Sequence, residues 1–177
     1  MSKITLQNVR LSFPSLWRKA VFGGDETKYE GTFLLDKTTH ADVIKKIEAG
    51  IKAINADKHK GKALASDKVC LKDGDTIDYD GYAGNMSIKA SSTKRPMVVG
   101  RDKAPLTEDD GKPYAGCYVN AIVELWGQKN QFGERVNANL LAVQFAKDGA
   151  PFGDGVVASI DDFDDIETDS SDLDDFI

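Results

Sequence analysis

Two long alternating segments near the C-terminal end leave few folds open to this chain. CYVNAIVELW and RVNANLLAVQF run for ten and eleven residues and are joined by the glycine-containing segment GQKNQFGE. Every second residue from Cys117 to Leu125 is small or aliphatic, as expected of a strand with one face in a barrel interior. The two segments predict a long antiparallel hairpin. The predicted inward residues of its second strand are Val136, Ala138, Leu140 and Ala142.

Shorter alternating segments precede this hairpin. The alternation that begins at Ile4 and Leu6 changes phase before Val9. A phase change of one residue predicts a β-bulge near Gln7 and Asn8. In the shifted phase the apolar positions are Val9, Leu11 and Phe13. Three further strands are predicted from KYEGTFLLD, MSIKASS and PMVVG.

Only one segment has convincing helical periodicity. We expect this helix to begin at Thr38 or Thr39, where a hydroxyl can cap it and Asp42 completes an arrangement like a capping box. Its apolar residues recur at three- and four-residue spacing and are Val43, Ile44, Ile47, Ile51 and Ile54. One helix among at least six strands predicts a mainly β fold, a small antiparallel barrel with a helix inserted between its strands.

Charge is divided unevenly along the chain. The net charge of −6 argues at first against a nucleic-acid partner, because such domains usually carry a basic excess. All 23 Lys and Arg precede Asp161, however, and nine of the 29 acids lie in residues 161–177. Residues 1–160 therefore carry +3 and the last seventeen carry −9. We expect a folded domain over 1–160 and a disordered acidic tail over 161–177, because the tail cannot bury enough apolar area to offset its chain entropy.

Recognisable catalytic and cofactor motifs are missing from the sequence. Gly23 and Gly24 stand in neither of the glycine-rich phosphate-binding motifs. His40 and His59 have no second ligand nearby and are predicted to be surface residues rather than zinc ligands. The four aspartates of KDGDTIDYDG do not follow the EF-hand order and are better explained by tight turns. We expect no enzymatic activity, no cofactor and no bound metal.

Cysteine content and hydropathy indicate a cytoplasmic protein. Cys70 and Cys117 are too few for a disulfide framework, and we expect buried free thiols. No run approaches the roughly 18 apolar residues of a membrane span. The N-terminal residues lack the apolar stretch of a secretory signal. We therefore expect no membrane partner.

The outward side of the predicted hairpin combines rings, a cation and amides. Tyr118, Trp126 and Arg135 occupy this register together with three asparagines. Such a mixture is typical of single-stranded nucleic-acid binding, because bases stack on exposed rings at about 1–3 kcal/mol each while cations neutralise phosphate. In the alternative interpretation, Tyr118 and Trp126 only cover the sheet against the helix or a loop. Further candidate binding residues are Trp17, Tyr29, Tyr79, Tyr82, Lys89, Lys94, Arg95, Arg101 and Lys103.

Apolar residues are spaced among the acids of the tail, which a plain solubility segment does not require. The end of the tail places Phe176 and Ile177 beside acidic residues, a combination that a basic-rimmed hydrophobic pocket of a partner protein can capture. The candidate partner-binding residues are Asp172, Asp174, Asp175, Phe176 and Ile177.

Several segments together resemble the phage single-stranded-DNA-binding proteins. They are NVRLSFPSLW, YEGTFLLDK leading into the helix, YAGCYVNAIVELW with the later FAKDGAPFG, and the acidic ending Asp-Asp-Phe-Ile. The resemblance covers nearly the whole chain. It implies an OB-like antiparallel Greek-key barrel with one inserted helix, which coats single strands during phage replication and recombination in the host cytoplasm. The acidic tail is then expected to contact replication or recombination proteins and to compete with DNA.

Some features stay open at this level. The ending Phe176-Ile177 departs from the tails of bacterial cellular relatives, which leaves the identity of the tail's partner open, and a homo-oligomer is equally open. Two other classes are a DNA-mimicking inhibitor and a small β-rich structural phage protein. A DNA mimic should be acidic over its body, whereas this body carries +3. A structural component needs neither surface rings nor a terminal apolar anchor.

Overall fold

The computed structural model describes residues 3–152. The elements in chain order are β1 (Lys3–Ser15), β2 (Val21–Phe22), β3 (Asp25–Glu26), β4 (Tyr29–Asp36), α1 (Ala41–Lys58), β5 (Leu71–Asp73), β6 (Asn85–Ser92), β7 (Met97–Val99), β8 (Tyr118–Asn130) and β9 (Gly133–Lys147). The predicted domain boundary at residue 160 and the acidic tail lie outside the described residues, and both stay predictions.

Five of the strands close into a barrel. Their order around it is β1, β4, β6, β9 and β8, and β8 pairs again with β1. All neighbours are antiparallel except β6 and β9, which run parallel and meet at Ser91 and Asn139. β5 extends the edge beside β6, and β7 lies beside β9. The mainly β, OB-like barrel with one inserted helix confirms the predicted architecture.

The first strand contains two irregularities, of which the sequence pattern predicted one. Its pairing with β8 shifts between Leu6 and Val9, where Asn8 has a φ of +54°, so the predicted bulge is confirmed. Its pairing with β4 shifts again beyond Ser12, which is buried. Phe13 is consequently 51% exposed, although the alternation placed it on the inward face.

The hairpin of β8 and β9 supplies much of the core. The odd residues of β8 from 119 to 125 are buried as predicted, and Cys117 just before the strand is buried with them. On β9, the predicted inward residues up to Leu140 are buried too. Beyond Leu140 the register with β8 shifts by one residue, so Val143 and Phe145 face the interior instead. The prediction that Ala142 points inward is therefore wrong, because the bulge reverses the alternation from that point.

The helix begins after the predicted threonine caps. Asp36 accepts hydrogen bonds from the backbone N–H groups of Thr38 and Thr39 at 2.9 and 2.8 Å, so these residues form a turn before α1. The N-cap residue is His40, whose side chain makes no capping hydrogen bond. The predicted capping box of Thr39 and Asp42 is wrong, because the helix begins after Thr39 and the backbone N–H groups of both threonines donate to Asp36.

The apolar face of α1 packs against β8 as the periodicity predicted. Ile44 and Ile47 are buried in the core, and Ile54 packs against it. A Cβ atom at Gly127 of β8 would lie only 2.7 Å from Cγ2 of Ile54. A residue without a side chain at this position therefore lets the helix approach the sheet closely.

His59, predicted to be a surface residue, is instead buried directly after α1. It is 1% exposed, with Nδ1 3.3 Å from Oε1 of Glu134 and Nε2 3.3 Å from the carbonyl oxygen of Arg135. Lys62 donates to the other oxygen of Glu134 at 2.7 Å. Hydrogen bonds from Lys62 and His59 lower the pKa of the Glu134 carboxyl. These contacts fasten the end of the helix to the start of β9 and fix the backbone that carries Arg135.

The aspartate-rich segment after β5 forms turns, as predicted. Asp73 accepts the backbone N–H of Asp75 at 3.0 Å, and Asp75 accepts that of Gly84 at 2.8 Å. Lys37 Nζ lies 2.7 Å from both carboxylates, and its hydrogen bonds hold their pKa values below the usual range. Within residues 3–152, no three His, Cys, Asp or Glu side chains are grouped to hold a metal ion.

The two cysteines are free thiols. Cys117 is buried, as predicted, whereas Cys70 is half-buried. Burial raises the pKa of the Cys70 thiol to about 11, so it is a neutral SH group at physiological pH. Among the described residues, no helix has the length and apolar character that a membrane crossing requires.

Candidate nucleic-acid interface

A groove of about 650 Å³ crosses the outer face of the barrel. Its strand residues are Glu30 and Thr32 of β4, Ser87, Lys89 and Ser91 of β6, and Arg135 and Asn137 of β9. Phe13 of β1, Lys72 of β5 and Ala138 of β9 also line it, together with residues 67–70, Ile77, Tyr79 and Tyr82. The groove therefore lies on β4 and β6 and extends onto β9.

Residues between α1 and β5 fill the gap where β6 and β9 separate. The backbone N–H of Cys70 donates to the carbonyl oxygen of Val136 on β9 at 2.9 Å. The carbonyl oxygen of Cys70 accepts the backbone N–H of Lys89 on β6 at 3.1 Å. This segment thus bridges the two strands beneath the groove. The bridge holds the backbones that carry Lys89 and Arg135 in fixed positions.

Three rings form a cluster at the groove, here called the aromatic trio: Phe13, Tyr79 and Tyr82. The ring centroids of Phe13 and Tyr79 are 5.0 Å apart, and those of Tyr79 and Tyr82 are 5.5 Å apart. Tyr82 is 3% exposed and donates its hydroxyl to Ser12 Oγ at 2.9 Å, and burial raises the pKa of that hydroxyl. Tyr79 is 59% exposed. Tyr82 therefore supports Tyr79, and two exposed rings remain available to a ligand.

The backbone at Phe13 is unusual for an aromatic residue. Its φ of +48° lies in the left-handed region, which disfavours side chains with a Cβ by about 1–2 kcal/mol. Strain of this kind is concentrated at ligand-binding sites. The conformation exposes the Phe13 ring at the groove, and sequence reasoning missed this residue because it assigned the ring to the core.

Cationic side chains outnumber acids in the groove. Lys68, Lys72, Lys89 and Arg135 line it, against Glu30 and Asp67. The guanidinium of Arg135 donates to the backbone carbonyl of Asp67 at 3.3 Å. Lys68 and Lys72 were not among the predicted residues, although they flank the apolar residues 69–71. The arrangement supplies positive charge beside exposed rings.

A second concavity adjoins the groove under the β2–β3 hairpin. It shares Glu30, Lys89 and Ser91 with the groove and adds Phe22 and Lys28. Phe22 is 82% exposed. Sequence reasoning missed Phe22, although the glycine pair that follows it in VFGGDE is a turn signal. Because the two concavities share Glu30, Lys89 and Ser91, they form one path lined by both rings and cations.

The structure brings part of the predicted set to this path. Tyr79, Tyr82, Lys89 and Arg135 line the groove. Trp126 is half-buried and pairs with Asn137, which places it at the outer edge of the groove on β8.

Other predicted residues lie elsewhere on the barrel. Tyr118 shares a strand face with Trp126 but is eight residues away, roughly 26 Å along β8, and its ring lies under Lys147 Nζ at 4.8 Å. The two rings lie on the same outward side of β8, as predicted, but this distance along the strand keeps Tyr118 away from the groove. Arg101 and Lys103 lie in the turn after β7, near Gln144, which is roughly 23 Å along β9 from Asn137.

The remaining predicted residues gather at the end of the barrel where β1 ends. The half-buried Trp17 packs against the core, and its carbonyl oxygen accepts a hydrogen bond from Arg95 at 3.1 Å. Tyr29 is half-buried and pairs with Ser92 at the end of β6. Lys94 is exposed in the turn that follows β6. None of these four side chains lines the groove.

The described chain ends beside the aromatic trio. Arg10 donates to the carbonyl oxygens of Gly116 at 3.0 Å and Ala150 at 2.6 Å, and its guanidinium lies 3.9 Å from the centre of the Phe152 ring. The Phe152 ring also packs against Gly81, which lies between Tyr79 and Tyr82 in sequence, so a Cβ atom at Gly81 would collide with the ring. Phe152, the last described residue, therefore packs against the segment that carries Tyr79 and Tyr82.

Comparison with known proteins gives this groove a context. The family model of the single-stranded-DNA-binding protein of Enterobacter phage Enc34 matches residues 2–177. This chain belongs to that family. Protein p50 of Acyrthosiphon pisum secondary endosymbiont phage 1 is 45% identical over 174 residues, with 93% of this chain and 94% of p50 covered.

Members of the Enc34 family also have solved structures. The single-stranded-DNA-binding protein of bacteriophage Enc34 superposes with a TM-score of 0.78 at 33% identity, covering 92% of this chain and 90% of that one. The structure of the Enc34 protein in complex with single-stranded DNA gives a TM-score of 0.77 at 34% identity, covering 85% and 89%. The predicted resemblance to phage single-stranded-DNA-binding proteins is confirmed.

Proposed function

We propose that this protein binds single-stranded DNA, without sequence specificity and without catalysis, along the path formed by the two concavities. The observation that carries the proposal is the juxtaposition of the exposed Phe13 and Tyr79 rings with Lys89 and Arg135 in one groove. Rings supply stacking surfaces that every base can use, and the cations neutralise phosphates. The groove occupies the face that OB barrels use to bind oligonucleotides. Membership of the Enc34 family supports the same function.

Membership of a phage single-stranded-DNA-binding family supports a proposal for the biological setting. We propose that the protein protects single strands during phage DNA replication or recombination in the host cytoplasm, and that its acidic tail recruits a replication or recombination protein. The tail's combination of acids with Phe176 and Ile177 supports a partner-binding role. The position of Phe152, the last described residue, against the segment that carries Tyr79 and Tyr82 supports competition between the tail and DNA for the groove.

Preference for single strands is the first test. Labelled oligo(dT), a mixed-sequence single strand and the matching duplex are titrated with the protein, and binding is followed by anisotropy. We expect the two single strands to bind with similar affinity and the duplex to bind more weakly, because stacked bases cannot lie on the rings. The logarithm of the affinity should fall with the logarithm of salt concentration by about 0.7 for each phosphate neutralised. Equal or tighter binding of the duplex would contradict the stacking model.

Two substitutions on the hairpin test the groove directly. Arg135→Ala should weaken binding and reduce the salt dependence by about 0.7, because one phosphate contact is lost. Trp126→Ala should weaken binding by up to about 1–3 kcal/mol through lost stacking at the edge of the groove. Thermal unfolding of both variants should stay cooperative. Loss of cooperative unfolding would place these side chains in the core rather than in the binding site.

A further inference from the structure

An ion pair lies across the middle of the proposed DNA path. Oε2 of Glu30 on β4 is 3.1 Å from Nζ of Lys89 on β6. Lys89 is paired with Thr32 in the β4–β6 ladder and Glu30 with Ser91, so the two charged residues are diagonal neighbours on the outer face. Both line the groove and the concavity under the β2–β3 hairpin. A single-stranded DNA that follows this path has to pass directly over the ion pair.

The two partners differ in exposure. The Glu30 side chain is only 19% exposed, whereas that of Lys89 is 61% exposed. The Glu30 side chain thus lies largely buried at the base of the groove, whereas the Lys89 side chain is exposed to a ligand in the groove. A phosphate that contacts Lys89 has to approach a carboxylate of the same sign. Attraction by Lys89 and repulsion by Glu30 therefore act on the same phosphate.

We infer that Glu30 competes with DNA phosphate for Lys89. Its carboxylate is paired with the Lys89 ammonium group in the free protein and is displaced from it when DNA binds. This inference rests on the proposed DNA-binding function. After displacement, the free Glu30 carboxylate attracts a cation from solution. Uptake of this cation offsets the release of the cation that the DNA phosphate held before binding, so the net number of cations released falls. Glu30 thereby lowers both the affinity and its salt dependence. A groove with such a residue releases DNA more readily than one lined by cations alone.

The test is a double-mutant cycle with Glu30→Gln, which removes the charge with little change in shape, and Lys89→Ala. Affinity for oligo(dT) is measured by anisotropy over a range of salt concentrations. We expect Glu30→Gln to tighten binding by about 2- to 5-fold at low salt, the range of a partly exposed ion pair. The salt slope should become steeper by about 0.7, since Lys89 then neutralises a phosphate without a competitor. In the Lys89→Ala background, Glu30→Gln should have little effect.

A matched control separates this mechanism from a general change in charge. Glu48→Gln removes one negative charge from the exposed surface of α1 and should change binding much less. Unchanged or weaker binding by Glu30→Gln overturns the inference. The same gain in the Lys89→Ala background, or an equal gain from Glu48→Gln, also overturns it. Glu30→Ala has to act in the same direction, and thermal unfolding verifies that each variant is folded.

Failure of the two proposals can be told apart in the same titrations. Folded wild-type protein that does not bind oligo(dT) contradicts the proposed function and the role of Glu30 together. Wild-type binding with no gain from Glu30→Gln contradicts only the role of Glu30.

Discussion

Tyr79→Ala is expected to weaken binding of single-stranded DNA by about 5- to 150-fold. This range corresponds to the roughly 1–3 kcal/mol that one stacked base contributes. Tyr79 is the most exposed ring of the aromatic trio. Its ring centroid lies 5.0 Å from that of Phe13 and 5.5 Å from that of Tyr82, and these contacts hold it in place. A ring that is already ordered loses little conformational entropy when a base stacks on it, so most of the stacking free energy is retained.

Two control variants show whether the loss of affinity in Tyr79→Ala comes from lost stacking. Tyr79→Phe keeps the ring and should bind almost as tightly as wild type, because stacking does not need the hydroxyl. Tyr118→Ala removes a tyrosine that lies far along β8 from the groove and should leave DNA affinity unchanged. Affinity is measured by anisotropy at one fixed salt concentration. A larger loss from Tyr118→Ala than from Tyr79→Ala would move the binding site to the other end of the hairpin.

Truncation after Ile160 is expected to tighten DNA binding on the order of tenfold at low salt. The removed residues 161–177 carry −9, whereas the remaining chain carries +3, and the proposed function treats the tail as a tethered competitor for the groove cations. A chain of the length of residues 153–177 spans at most about 85 Å when extended, which easily reaches a groove next to Phe152. The gain should shrink from about 0.01 M salt, where the Debye length is about 30 Å, to 1 M, where it is about 3 Å.

The truncation also tests the partner-binding role of the tail. Full-length protein immobilised through its N-terminus should capture a replication or recombination protein from infected-cell extract, and the truncated chain should not. The double substitution Phe176→Ala with Ile177→Ala preserves the charge, so it should abolish capture while leaving DNA affinity unchanged. If truncation does not alter DNA affinity at low salt, the tail does not compete for the groove. If the double substitution alters DNA affinity, charge alone is not the cause of the competition.

The competition proposed for the tail and that proposed for Glu30 act on the same cations but differ in their signatures. The tail is long and highly charged, so its effect should depend strongly on ionic strength over the whole range. Glu30 acts at one ion pair, so its effect should disappear specifically when Lys89 is removed. Combining the truncation with Glu30→Gln should therefore give nearly additive gains at intermediate salt.

Features that depend on neighbours in sequence could be predicted from the sequence alone. The alternation of β8 predicted its buried face, and the phase change near Asn8 predicted the first bulge. The spacing of Ile44 and Ile47 predicted the face of α1 that packs on the barrel. Each of these patterns is visible because a strand repeats every two residues and a helix every 3.6, so the burial of one face appears directly in the residue order.

Features that depend on residues distant in sequence were decided by the tertiary structure. Phe13 is exposed because of a second bulge, after which the same alternation faces the opposite side. His59 is buried because Glu134 and Arg135, more than seventy residues away, offer it hydrogen-bond partners. Glu30 becomes part of the groove only because β4 pairs with β6 in a register that brings it to Lys89. A local pattern states which face of a strand is apolar, but closure of the barrel decides which polar side chains meet on the other face.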